Sequence, residues 1–175
     1  MTLTSNSSNS TRRPAPAGVR SVFLAGPFMG LVDPGTNRMA TTAQLPFVQL
    51  IEHFESQGLQ VYNAHRREAW GAEMIPPDRC TALDQEEIGK ADVFVALPGI
   101  PASPGTHIEM GWASAFGKPI VLLLEDGREE EYGFLVRGLR SVATVEYVRY
   151  TEVRDVLGEV DAAVRRAVDR LGTSS

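Results

Sequence analysis

The stretch "DVFVALPGIPASPGTHIEMGWASAFGKPIVLLLE", Asp92 to Glu125, decides the fold. It opens on "DVFVALP" from Asp92 and closes on "PIVLLLE" from Pro119, and between them a run with helical spacing extends from about Thr106 to Phe116. Both outer runs are continuously apolar rather than alternating. Burial on both faces requires that pattern, and parallel strands covered by helices produce it. Gly117-Lys118-Pro119 ends the helical run, since proline cannot continue a helix and glycine terminates one readily.

The same alternation extends outward. "SVFLAG" from Ser21, "LQVYNA" from Leu59 and "ATVEYVRY" from Ala143 read as further strands, and Thr42 to Gln57, Pro77 to Lys90, Glu129 to Leu139 and Thr151 to Leu171 read as helices. In the last of these Val153, Val156, Leu157, Val160, Val164, Val168 and Leu171 form one stripe, the mark of a covering helix. The expected fold is α/β, a five-stranded parallel sheet with helices on both faces, Rossmann-like or flavodoxin-like. Ligands of such sheets sit beyond the carboxyl ends of the strands, so the loops after Ala25, Ala64, Leu97 and Leu124 are the places for a site.

Composition narrows the function. The chain has 175 residues and suits one domain, expected over residues 19–172, behind a polar Ser/Thr/Asn/Pro-rich tail over residues 1–18 that is expected to be disordered. A net charge of -5 offers no basic face for a phosphate backbone, so no nucleic-acid partner is expected. Cys80 is the one cysteine, which leaves neither a disulfide nor a thiolate metal site. Prolines rather than a long apolar run follow Arg12-Arg13, and no segment has the length of a membrane span, so neither export nor a membrane is expected and the cytoplasm is the default location.

Four loops carry residues suited to chemistry. In "AGPFMG", Gly26 allows a sharp turn, and Phe28 with Met29 would form an apolar platform or simply cap the core. In "NAHRREAWG", His65, Arg66 and Arg67 can receive an anion and Trp70 can stack on a ring; the same residues also suit a solvated loop and a core tryptophan. Asp84 stands eight residues before Asp92, a little over two helical turns. In "SPGTHIE", Ser103, Gly105 and Thr106 open a helix after a buried strand, a natural cradle for a phosphate. Glu109, one turn later, has three readings: capping-box partner of Thr106, general base, or nucleophile.

From Val22 to about Val148 the chain resembles the nucleoside 2-deoxyribosyltransferase-like superfamily, through "VFLAGPF", the aspartate ahead of "ADVFVALP", and "GTHIEMGWASAFGKPIVLL". The resemblance implies that Glu109 attacks the anomeric carbon and that Asp84 contacts the leaving base; to donate a proton, Asp84 would need a dry site favouring its neutral form. Transferases of free nucleosides carry an aspartate six residues before the nucleophile to hold the 5'-hydroxyl. Here Ser103 stands there, and a serine can donate to a phosphate that an aspartate would repel. This points to the nucleoside 5'-monophosphate N-glycosidase branch, and "LIEHFESQGLQVYNAHRREAWGAE" resembles the CMP hydrolases of blasticidin S-type peptidyl-nucleoside antibiotic pathways. The implied reaction is hydrolysis of CMP to cytosine and ribose 5-phosphate, a scheme with a carboxylate nucleophile that implies no metal or organic cofactor. In the hydroxymethyl-CMP branch an arginine occupies the place of Met29, which favours the unsubstituted base. Purine monophosphate cleavage and a non-catalytic nucleotide sensor are the alternatives. The resemblance further implies a homodimer in which "EEEYGFLVRG" reaches the neighbouring site, with Tyr132 completing it or packing in its own helix.

Overall fold

The computed structural model describes residue 15 and residues 18–173, so the tail expected over residues 1–18 lies almost wholly outside the described residues. The chain order is β1 (Ser21–Ala25), β2 (Val32–Asp33), β3 (Arg38–Met39), α1 (Thr41–Ser56), β4 (Gln60–Tyr62), α2 (Ala64–Arg67), α3 (Pro77–Lys90), β5 (Val93–Ala96), α4 (Pro104–Ala115), β6 (Ile120–Glu125), α5 (Phe134–Gly138), β7 (Val145–Tyr150) and α6 (Leu157–Gly172). Five of the strands form one parallel sheet in the order β4-β1-β5-β6-β7, and β2 and β3 pair separately as a small antiparallel hairpin. This is the α/β architecture expected from the strand pattern.

Alternate side chains of each strand feed opposite layers. Val22, Leu24, Val93, Val95, Val121 and Leu123 meet Phe47, Leu50 and Phe54 of α1 and Val160, Ala163 and Val164 of α6. Phe23, Phe94, Ile120 and Leu122 meet Ile88 of α3, Met110 and Ala113 of α4, and Val136 of α5. Two-sided burial explains the unbroken apolar strands that mark the sequence. The strand order reverses beside β1: the chain passes from β4 on one flank to β5 on the other, opening a crevice beyond Ala25 and Ala96.

Two expected helices differ from their pattern. The run from Glu129 to Leu139 is broken, with a 3-10 turn at Glu129–Glu131 and α5 beginning only at Phe134. Tyr132 is extended there (ψ 144°) because its ring enters the core, where its hydroxyl accepts a hydrogen bond from the Glu125 N–H at 2.9 Å. The last helix starts at Leu157 rather than Thr151, after a 3-10 turn that buries Val153. Asp92 belongs to the scaffold, since its Oδ2 accepts from the N–H groups of Arg20 and Ser21 and from the Ser21 hydroxyl, tying the start of β1 to that of β5.

Candidate active site

A cavity of about 610 Å³ fills the crevice at the strand-order reversal. Its walls come from the loop after β1 (Gly26 to Leu31), from Phe47 of α1, from His65 and Glu68 after β4, from Cys80 and Asp84 of α3, and from the loop running through Ser103 into Glu109 of α4. Gly26 is required by close approach: a Cβ there would lie 2.3 Å from Cε1 and 2.6 Å from Cζ of the Phe47 ring. Gly99 takes φ +84° with Pro27 against it, which lays the two crevice loops side by side.

Ser103 is the N-cap of α4, its Oγ accepting from the Thr106 hydroxyl at 3.0 Å and from the Thr106 N–H at 3.5 Å. Pro104 follows at the first helical position, where its missing N–H costs nothing. The capping-box reading of Glu109 is thereby removed, because the cap is three residues earlier and Thr106 is its partner. No hydrogen bond or ion pair with a described residue engages the Glu109 carboxylate, which sits part-buried against the cavity. Burial, reinforced by the nearby Asp84 carboxylate and opposed by Arg67, pushes Glu109 up to about 8.

Asp84 is buried, and both of its oxygens accept hydrogen bonds, Oδ1 from Arg67 Nη2 at 2.7 Å and Oδ2 from the Cys80 thiol at 3.4 Å. In this structure Asp84 is the acceptor of both contacts, the first an ion pair with Arg67. Burial, with the Asp84 and Glu68 carboxylates beside it, pushes the Cys80 thiol up to about 12, so it remains a thiol that donates.

His65 lines the cavity with its ring, stacked on Phe47 at 4.3 Å and tilted against Phe28 at 4.6 Å. Burial pushes it down to about 4, so the ring is neutral; Nε2 donates to the Pro27 carbonyl at 2.9 Å and Nδ1 accepts from the Asn63 amide at 3.1 Å. Both nitrogens are thus occupied, and His65 braces the loop after β1 instead of offering charge to an anion.

The structure brings together Gly26, Phe28, Met29, His65, Asp84, Ser103, Gly105, Thr106 and Glu109 around one cavity and leaves Arg66, Arg67, Trp70 and Tyr132 outside its lining, Trp70 packing against the core. Arg66 turns away, donating to Glu55 and to the Val61 carbonyl. Tyr132 is 4% exposed in its own chain's core. The residue that reaches Asp84 is Arg67. Asn63 caps α2, and one step along a helix turns a side chain by about 100°, so the two adjacent arginines diverge. The capping asparagine ahead of "AHRR" is the signal that could have separated them. Glu68, Cys80, Phe47, Glu125 and Tyr150 also line the cavity, with no local pattern to announce them.

The fold is a flavodoxin-like sheet with an apolar-walled crevice of small-molecule size at its switch point, a helix N-terminus on one rim and the Glu109 carboxylate on the next turn. No protein-family model matches the chain, and no curated protein does. Among solved structures, the solution structure of BlsM is 70% identical and superposes with a TM-score of 0.79, covering 89% of this chain and 96% of that one. The CMP N-glycosidase BcmB of Clostridium botulinum is 37% identical with a TM-score of 0.61, covering 82% of this chain and 99% of that one. A conserved protein of Enterococcus faecalis V583, 20% identical with a TM-score of 0.53 over 82% of this chain and 98% of that one, shares the fold. The chain belongs to the family of BlsM and BcmB, the nucleoside 5'-monophosphate N-glycosidase branch of the nucleoside 2-deoxyribosyltransferase-like superfamily.

Proposed function

We propose that the protein hydrolyses the N-glycosidic bond of CMP to cytosine and ribose 5-phosphate, with Glu109 as nucleophile. The observation that carries this is the Glu109 carboxylate, without a hydrogen-bond or ion-pair partner among the described residues, in a cavity whose rim is the N-terminus of α4. Ser103, Gly105 and Thr106 at that rim hold the 5'-phosphate. The Glu109 carboxylate forms a bond to C1' as the bond from C1' to the base nitrogen breaks, and water then cleaves the ribosyl ester with overall retention. Glu109 must lose its proton before attack, and that proton can pass to the departing base, so one group supplies both needs. Phe28 and Met29 cover the base.

Free cytosine suits a later sugar-coupling step, and supply to nucleoside antibiotic assembly in the cytoplasm is part of this reading. So is a homodimer: Phe134 and Leu135 on α5 are 86% and 87% exposed, apolar groups that a second copy would cover. The test is a panel of nucleoside 5'-monophosphates incubated with the purified protein and with Glu109→Ala, free base being measured by chromatography. Cytosine from CMP with the parent protein and none with the variant is expected; adenine from AMP alone, or undiminished release by Glu109→Ala, would sink the proposal.

A further inference from the structure

Among the described residues that line the cavity, the charged groups are Glu68, Asp84, Glu109 and Glu125, and no lysine or arginine is with them. The cation that serves this wall lies behind it. Arg67 donates from Nη2 to Asp84 Oδ1 at 2.7 Å and from Nη1 to Glu87 Oε2 at 2.7 Å, and its Nη2 lies 3.6 Å from Glu68 Oε1. One guanidinium therefore answers three carboxylates, of which Glu68 is fully buried and Asp84 nearly so. The Cys80 thiol completes the arrangement, its single S–H shared between Asp84 Oδ2 and Glu68 Oε1, each 3.4 Å from the sulfur. Glu68 Oε2 and Arg67 Nε have no hydrogen-bond partner among the described residues. The network supplies donors to Asp84 and takes none from it.

We infer that Arg67 is a positioning residue that fixes Asp84 as a hydrogen-bond acceptor and thereby selects a base with an exocyclic amino group over one with a carbonyl at the same edge. The inference rests on the reading of the cavity as a nucleoside monophosphate site. A cytosine-type edge offers an amino donor to the free lone pairs of Asp84; a uracil-type edge offers an oxygen, which a carboxylate repels. Without the guanidinium, Asp84 Oδ1 loses its donor and three carboxylates face one another with nothing to hold Asp84 in place. A carboxylate free to turn no longer presents fixed acceptor lone pairs, and the preference for the amino edge fades. Lysine can keep the charge, but as a single ammonium it cannot hold Asp84 and Glu87 in one planar fork.

The test uses Glu109→Ala as the background, so that nucleotide is not consumed, and measures CMP and UMP binding by titration calorimetry. CMP is expected to bind more tightly than UMP by about tenfold or more, the effect of one hydrogen bond to a charged group. Adding Arg67→Gln should remove most of that ratio, and Arg67→Lys should restore part of it. A general loosening of structure would weaken both ligands without changing their ratio. Asp84→Asn, which places an amide donor at the same position and does not depend on Arg67 variants folding, should turn the preference toward UMP. An unchanged CMP:UMP ratio in a folded Arg67→Gln or in Asp84→Asn overturns the inference, as does equal binding or no binding of the two ligands in the background protein. Failure of the hydrolase reading is separate: it would appear as no base release by the parent protein while the binding ratio persists.

Discussion

Replacing Glu109 by glutamine should make the protein more stable while removing its activity. The carboxyl ordinarily loses its proton at 4.5, and in the folded protein at about 8, because burial and Asp84 penalise the charged form. Below pH 4.5 the group is neutral folded or unfolded and contributes nothing to the pH dependence. Between 4.5 and about 8 the folded state holds the proton that the unfolded state releases, so stability falls as pH rises; above about 8 both states are ionised and the full cost is present. Each pH unit in that window costs about 1.4 kcal/mol, so at pH 7, two and a half units above the unfolded value, the penalty is about 3 kcal/mol, approaching about 5 kcal/mol at pH 9. Glutamine has nearly the same shape and no charge to desolvate. Urea denaturation of both proteins at pH 5, 7 and 9 should show the variant gaining little at pH 5, about 3 kcal/mol at pH 7 and more at pH 9, with equal slopes. A stability difference that is flat with pH, or a variant weaker than its parent at pH 7, would refute the argument that the site holds this carboxylate against its charged form.

Further outcomes follow from the walls of the cavity. Gly26→Ala should destabilise the fold by about 1–3 kcal/mol, because the new methyl drives into a Phe47 ring that is 2% exposed and stacked on His65, and thermal melting will show it. Ser103→Asp should lower kcat/KM for CMP by about a hundredfold or more through repulsion of the 5'-phosphate while keeping an N-cap of equal quality, so a loss of activity at unchanged melting temperature is the signature. Cytidine should be cleaved far more slowly than CMP by the parent protein, and comparable kcat/KM values would remove the phosphate from the cradle at α4.

The sheet was legible because its evidence is local and periodic. Unbroken apolar runs such as "PIVLLLE" between helical segments admit little besides buried parallel strands, and the loop carrying Ser103 and Glu109 follows one of them directly. Ser103, Gly105, Thr106 and Glu109 could be placed at the crevice without coordinates, since that needs only a helix start and its next turn after a buried strand. The broken helix around Tyr132 was not legible: its spacing fits a helix, and what breaks it is a hydroxyl reaching the Glu125 N–H at the end of β6.

Charge at the site is where sequence stops. Asp84 reads from its spacing as a helix carboxylate and from the resemblance as a contact to the leaving base, and only the tertiary fold sets Arg67 and the Cys80 thiol on its oxygens. His65 reads as a cation-forming side chain beside two arginines, yet the stacking of Phe47 and the carbonyl of Pro27 leave it neutral and occupied. A residue's place along the chain fixes its side-chain chemistry and its helical or strand face. Its protonation and its partners depend on desolvation and on groups tens of residues away, which come together only when the sheet closes its crevice.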